Sequence, residues 1–160
     1  MGLELDRISL RLHGLPLIAS FSLGVAPGEV VTLMGASGSG KTSLLSYIAG
    51  DLESPFSGSG TVRLSDKVLD GLPPERRRIG RLFQDDLLFP HMTVRENLLF
   101  GMPRGSLAHR QSRMRAALEQ IGLADFEHRP PLTLSGGQRA RVALMRSLLA
   151  EPDAILLDEP

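Results

Sequence analysis

The sequence contains no cysteine, and only two of its 18 basic residues, Lys41 and Lys67, are lysines. Without cysteine there can be no disulfide framework, no thiolate metal site and no cysteine nucleophile, which fits a reducing compartment. Eighteen acidic residues balance the 18 basic ones. The net charge therefore gives no electrostatic reason to expect binding to nucleic acid or to a bare anionic membrane.

Long apolar runs are also missing. No stretch approaches the roughly 18 uninterrupted apolar residues of a membrane-spanning helix. Residues 1–6 (MGLELD) lack the basic start and apolar run of a signal peptide, and Asp6 stands where a myristoylation site requires Ser or Thr. Any membrane contact is therefore expected through a partner. A content of 42% hydrophobic and 22% charged residues is typical of a globular chain, and 160 residues favour one domain.

Apolar periodicity predicts strands that alternate with helices, and hence a three-layer α/β fold with a partly parallel sheet. Residues 29–34 (EVVTLM) read as a buried parallel strand and residues 53–60 (ESPFSGSG) as a loop. Residues 106–121 predict an amphipathic helix whose buried face carries Leu107, Met114, Ala117, Leu118 and Ile121. The remaining predicted strands are 3–12, 17–25, 61–64, 79–83 and 154–157, and the remaining predicted helices are 41–49, 93–100 (capped by Thr93 with Glu96) and 136–150.

A glycine-rich loop follows the predicted strand 29–34. Its letters, GASGSGKT, match the phosphate-loop pattern G-x-x-x-x-G-K-[ST], and the strand–loop–helix setting argues against an incidental linker. Glycines let successive N–H groups point inward at phosphate, and the following helix adds its positive dipole end. A dinucleotide fingerprint is excluded because Ser43 occupies its third glycine position. The predicted phosphate-binding residues are Gly35, Ala36, Ser37, Gly38, Ser39, Gly40, Lys41, Thr42 and Ser43.

An acidic pair, Asp158-Glu159, follows the apolar residues 154–157. In a phosphate-loop protein, an aspartate at such a strand end can hold Mg²⁺ together with Thr42, and the next carboxylate can orient or deprotonate the attacking water. Taken alone, the pair is more typical of a strand followed by a solvated acidic turn, and its pairing with Lys41 and Thr42 favours the metal and catalytic roles.

A second small-residue segment opens the helix 136–150. Ser135, Gly136 and Gly137 leave room for a phosphate to approach the backbone at a helix amino terminus. The alternative for Ser135 is an ordinary N-cap.

The remaining motifs resemble those of a known protein family. Residues 134–138 (LSGGQ) resemble the signature motif of ATP-binding-cassette (ABC) ATPases, and the 20 residues from Gln138 to Asp158 match that family's spacing. Gln84, within LFQD, resembles the family's Q-loop, and residues 88–97 (LFPHMTVREN) are similar to bacterial importer ATPases. The resemblance covers essentially the whole chain. It implies one nucleotide-binding domain over residues 1–160: a P-loop core with a mixed sheet, an antiparallel amino-terminal part and a helical signature region at about 85–140.

The resemblance implies a mechanism. Two such domains, a homodimer or a paired ABC domain, would pack head to tail around two ATP molecules. Ser135, Gly136, Gly137 and Gln138 would form the turn that faces the partner's γ-phosphate. Thr42, Gln84 and Asp158 would serve Mg²⁺, with Gln84 also sensing the attacking water, and Glu159 would be the catalytic carboxylate.

The implied partners are integral membrane permease subunits and a solute-binding protein, without nucleic acid. The implied location is the cytoplasmic face of the membrane. A soluble ABC protein of DNA repair or translation is the alternative, although only 50 residues separate Gln84 from Ser135, too few for a long coiled-coil insertion. The basic run 76–78 favours a solvated turn over a nucleic-acid site, since no aromatic platform accompanies it.

Two departures from the family pattern stand out. No aromatic residue precedes Phe21 to stack on adenine, so Leu12 or His13 would cover the base, with a solvated loop position as the alternative for His13. Family members also continue past the acidic pair to a switch histidine, and no histidine follows Asp158 here. The resemblance therefore predicts a domain incomplete at its carboxyl end, and a further alternative is a nucleotide-binding fragment without turnover.

Overall fold

The structure is a computed structural model that describes residues 2–158. Its α/β fold divides into two compact units that meet in the chain between Ile79 and Gly80. The strands are β1 (Leu3–Leu12), β2 (Leu15–Val25), β3 (Phe56–Leu64), β4 (Lys67–Val68), β5 (Ile79–Leu82) and β6 (Ala154–Leu157). The helices are α1 (Lys41–Ala49), α2 (Val94–Gly101), α3 (Leu107–Gln120) and α4 (Gly136–Leu149).

The first unit is built on a four-stranded antiparallel sheet in the order β2-β1-β3-β4. The strand predicted at 3–12 is confirmed as β1, in which Leu5, Ile8 and Leu10 are buried while their neighbours are more exposed. Helix α1 contacts β3, and the Tyr47 hydroxyl donates to the Gly60 carbonyl over 2.9 Å. The sheet and this helix form the frame from which the glycine-rich loop projects.

The predicted loop at 53–60 is wrong from Phe56 onward, because β3 begins there and pairs with β1. Its glycines reflect close packing. A Cβ on Gly58 would lie 2.4 Å from the Tyr47 ring, and one on Gly60 would lie 2.6 Å from the Arg7 carbonyl oxygen. Gly60 also has a φ of 109°, beside a register shift between Asp6 and Ser9. A bulged, tightly packed strand thus has a loop-like composition.

The predicted buried strand at 29–34 is also wrong. These residues carry no regular structure, and Val30 and Met34 are 88% and 91% exposed. Strand formation needs a hydrogen-bonded neighbour, and within residues 2–158 no strand pairs with this segment. Its β-branched, apolar composition is therefore not sufficient to order it as a strand.

In the second unit, α2, α3 and α4 pack around one core that includes Val94, Leu98, Met114, Leu118 and Val142. The predicted helices are confirmed to within a residue or two at each end, as is the Thr93–Glu96 capping box. The buried face predicted for α3 is confirmed in the middle of the helix, but not at its first residue, Leu107.

Leu107 is 60% exposed, so its predicted burial is wrong. It is the first residue of α3, and residues 103–106 before it are exposed and do not cover it.

A separate two-stranded parallel sheet pairs β5 with β6, and the Asp158 N–H donates to the Leu82 carbonyl over 3.0 Å. The strand predicted at 154–157 is confirmed, although Leu156 is buried and Leu157 is 44% exposed. Among the described residues, no helix is long and apolar enough to cross a bilayer.

Candidate nucleotide-binding site

The glycine-rich loop curls around the Lys41 ammonium in the first unit. Lys41 Nζ donates to the carbonyls of Gly35 and Ala36, each over 3.0 Å, and the Ser39 N–H donates to the Ala36 carbonyl over 3.2 Å. Gly38 has a φ of 76°, in the region that glycine alone adopts without strain. This curl concentrates backbone N–H groups and one cation in a segment that is exposed from residue 35 to 39.

Helix α1 starts directly from this loop. Its N-cap is Gly40, in a left-handed conformation and with no side-chain cap hydrogen bond. A Cβ at Gly40 would lie 3.1 Å from the Leu17 side chain, so β2 packs against the loop's last glycine. The first turn of α1 contains no acidic residue, so its positive dipole end meets no carboxylate of its own first turn. The arrangement suits an anion such as phosphate.

The second small-residue segment begins α4 in the second unit. Ser135 is its N-cap: Ser135 Oγ accepts from the Gln138 N–H over 3.3 Å, and Gln138 Oε1 accepts from the Ser135 N–H over 2.8 Å. Gly136 and Gly137 are exposed, and a Cβ at Gly137 would meet no heavy atom within 4 Å. Nothing inside the described chain therefore requires glycine at residue 137.

Gln84 and Asp158 follow the two paired strands of the second unit. Gln84 is exposed, two residues beyond the end of β5, as predicted for a strand end. Asp158 is 8% exposed and forms an ion pair with Arg81 over 3.3 Å, from Arg81 Nη2 to Asp158 Oδ2. Arg81 in turn lies with its guanidinium 4.3 Å from the centre of the Phe83 ring. Glu159, the predicted catalytic carboxylate, lies outside the described residues.

The oxygen donors available for Mg²⁺ are few. Within residues 2–158, no group of three or more histidine or acidic side chains is placed to form a dedicated metal cage. Mg²⁺ typically uses only one or two protein oxygens together with substrate phosphates and water. Thr42 in the first unit and Asp158 in the second each offer a hard oxygen donor of this kind, so the chemistry of each residue suits Mg²⁺.

The sequence did not predict a polar cluster that joins the segment after Gln84 to α4. Arg139 Nε donates to Asp86 Oδ2 over 2.6 Å, and Arg146 Nη1 donates to the Leu87 carbonyl over 2.9 Å. Burial lowers the pKa of the Arg146 guanidinium, while the nearby Asp86 carboxylate raises it. The charged residues of helix 136–150 were the available signal, but their partners lie about fifty to sixty residues earlier in the chain.

The adjoining Asn97 side chain is fully buried and hydrogen-bonded on both sides. Asn97 Oδ1 accepts from the Phe89 N–H over 2.8 Å, and Asn97 Nδ2 donates to the carbonyls of Phe89, Met92 and Thr93. A buried amide with this many partners fixes the path of the chain after Gln84.

The sequence profile of the family described as ABC transporter matches residues 18–160. The chain belongs to the ABC transporter family. This membership implies nucleotide binding.

Curated ABC transporter proteins of known sequence resemble this chain closely. The chain is 47% identical to the ABC transporter ATP-binding protein YnjD of Escherichia coli (strain K12), over 96% of this chain and 71% of that protein. It is 47% identical to the spermidine/putrescine import ATP-binding protein PotA of Thermobifida fusca, over 89% of this chain and 37% of that protein. It is 41% identical to the sulfate/thiosulfate import ATP-binding protein CysA of Vibrio cholerae, over the whole of this chain and 43% of that protein. The chain thus spans less than half the length of these import relatives.

Proposed function

We propose that the protein containing this chain binds ATP with Mg²⁺ and hydrolyses it as the nucleotide-binding subunit of an ABC importer. The observation that carries the proposal is the folded-back Lys41 inside the exposed glycine loop at the start of α1. Backbone N–H groups and the α1 dipole would hold the α and β phosphates, and Lys41 would exchange its carbonyl contacts for the β and γ phosphates. Residues 35–43 would form this site within one nucleotide-binding domain.

Three polar side chains would serve the metal. Thr42 would offer its hydroxyl, Asp158 its carboxylate and Gln84 its amide oxygen. Mg²⁺ supplies charge neutralisation on the phosphates when bound. Arg81 would orient the Asp158 carboxylate through their ion pair.

Hydrolysis would need a second copy of the domain. Ser135, Gly136, Gly137 and Gln138 would present the first turn of α4 to the γ-phosphate held by the partner. The open space around Gly137 supports this assignment, because the packing of the chain itself leaves the glycine unexplained. Glu159 would accept a proton from the attacking water, and Gln84 would help to orient that water.

Transport partners follow from the relatives whose names specify import. The protein would pair with integral membrane permease subunits and a solute-binding protein, and would work at the cytoplasmic face of the membrane. Copurification of the full-length protein with a polytopic membrane protein would support this role. Cofractionation with ribosomes or DNA instead would contradict it.

Nucleotide binding is tested by replacing Lys41 in the full-length protein. We expect Lys41→Ala to abolish ATP binding, measured by calorimetry and by the ATP-induced rise in melting temperature, because a ligand that binds only the folded state stabilises it by an amount that grows with the ratio of ligand concentration to Kd. Lys67→Ala is the matched control, since Lys67 is the only other lysine and its Nζ donates to the Arg76 carbonyl over 3.1 Å. Equal ATP affinity in the two variants would contradict the assignment.

A further inference from the structure

The segment after Gln84 is held against α4 by two arginines on one face of that helix. Arg139 lies in the first turn of α4, and Arg146 lies seven residues later, about two turns along. Arg139 contacts Asp86 through its side chain, and Arg146 contacts Leu87 through its backbone carbonyl. Two directional polar contacts, one from the first turn of α4 and one from two turns further on, therefore join this helix to residues 86–87.

Both carboxylate oxygens of Asp86 accept hydrogen bonds. Asp86 Oδ1 accepts from the Leu88 N–H over 3.3 Å, while Asp86 Oδ2 accepts from Arg139 Nε over 2.6 Å. Arg139 Nη1 donates to the Leu134 carbonyl, directly before the Ser135 turn, over 2.9 Å. The side chains are 27% and 35% exposed, so the ion pair is partly shielded from water and its orientation is fixed.

The contact at the other end is rigid for a different reason. Arg146 Nη1 also donates to Asn97 Oδ1 over 3.4 Å, and Asn97 is buried within the core of the second unit. Removing Arg146 or Asn97 would therefore disturb the fold itself. The Asp86–Arg139 ion pair is the link that can be broken without opening that core.

We propose that the Asp86–Arg139 ion pair is a positioning pair that links nucleotide contact at the Ser135 turn to the loop at Gln84. This inference rests on the proposed function. Neither side chain is assigned a contact with nucleotide. Arg139 moves with the first turn of α4, Asp86 moves with Arg139, and Gln84 lies two residues before Asp86 in the same loop.

Steady-state kinetics of the full-length protein test the coupling. We expect Asp86→Asn and Arg139→Gln each to lower kcat for ATP roughly three- to tenfold, the range expected for loss of coupling between sites, with the KM for ATP changed less than about twofold. The double variant should lose no more than either single variant, because the same pair of opposite charges is broken in all three. Arg139→Lys, which keeps the charge, should recover part of the loss. The control is Arg113→Gln, which breaks the Arg113–Glu151 ion pair elsewhere in the same unit.

Amide hydrogen exchange supplies a readout that a purely structural role would not move. ATP should slow exchange at 134–140 and at 84–88 in the wild-type protein, but only at 134–140 in Asp86→Asn. Losses of kcat that multiply in the double variant would overturn the role of the ion pair, and so would ATP protection of residues 84–88 that survives Asp86→Asn. Either result would leave the proposed function standing. A wild-type protein that neither hydrolyses ATP nor shows ATP protection at 134–140 would overturn the proposed function as well.

Discussion

Gly58 packs against the Tyr47 ring, and this contact leaves no room for a side chain at this position of β3. A Cβ at this position would lie 2.4 Å from two ring carbons and 2.8 Å from Leu10 Cδ2. We expect Gly58→Ala to lower the free energy of unfolding by about 1–3 kcal/mol, the usual cost of overpacking, measured by urea denaturation. Gly24→Ala in β2 is the control, because a Cβ there meets no heavy atom within 4 Å. Equal midpoints for the two variants would contradict the prediction.

The motif residues were the part of the candidate site most readily predicted, because their contacts are with residues close in sequence. Lys41 reaches carbonyls five and six residues away, and Ser135 caps a helix through Gln138 three residues on. That cap is the structural role weighed for Ser135 from the sequence, and it is present. The Arg81–Asp158 pair was not predictable, because 77 residues separate its members and no periodicity joins them.

Helix α2 begins with a capping box whose carboxylate makes it sensitive to acid. The Thr93 N–H donates to Glu96 Oε2 over 2.7 Å, and this bond, with a second from the Thr93 hydroxyl, lowers the pKa of Glu96 below its ordinary value of 4.5. A carboxyl with a depressed pKa in the folded state contributes stability above its unfolded pKa and loses it as pH falls through the folded value. The stability supplied by this cap should therefore decline below about pH 4.5.

Glu96→Gln tests this sign directly. Glutamine keeps an acceptor oxygen for the Thr93 N–H but cannot titrate. We expect urea midpoints measured from pH 6 to pH 3 to fall more steeply in the wild-type protein than in Glu96→Gln. Glu119→Gln, at an exposed position in α3, should retain the wild-type slope. Parallel slopes for the wild-type protein and Glu96→Gln would show that the cap carries no pH dependence.

The elements that were mispredicted share one physical cause: strands are defined by partners distant in sequence. Residues 29–34 have the composition of a buried strand but no strand neighbour among residues 2–158, whereas 56–60 have the composition of a loop and pair with β1. Helices depend on contacts within a few residues, and all four were predicted to within a residue or two at each end. In this chain the bounds of the helices were therefore predicted more accurately from the sequence than those of the strands.

Across the whole molecule, the proposed mechanism needs two copies of the domain, and this makes Glu159 the residue whose replacement should change assembly. If Glu159 deprotonates the attacking water, Glu159→Gln leaves ATP binding intact and stops the step that opens the dimer. We expect a roughly 10²- to 10⁴-fold loss of ATPase activity, the usual contribution of a general base, and an ATP-dependent dimer on size-exclusion chromatography of the full-length protein.

A second acidic residue separates loss of catalysis from loss of charge. Glu151 follows α4 and forms an ion pair with Arg113, so Glu151→Gln removes the same charge outside the proposed machinery. That control should keep its ATPase activity and remain monomeric once ATP has been consumed. Undiminished steady-state hydrolysis in Glu159→Gln would remove the catalytic role from Glu159. Lost hydrolysis without a stable dimer would instead contradict the proposal that the Ser135 turn of one copy closes on the nucleotide of the other.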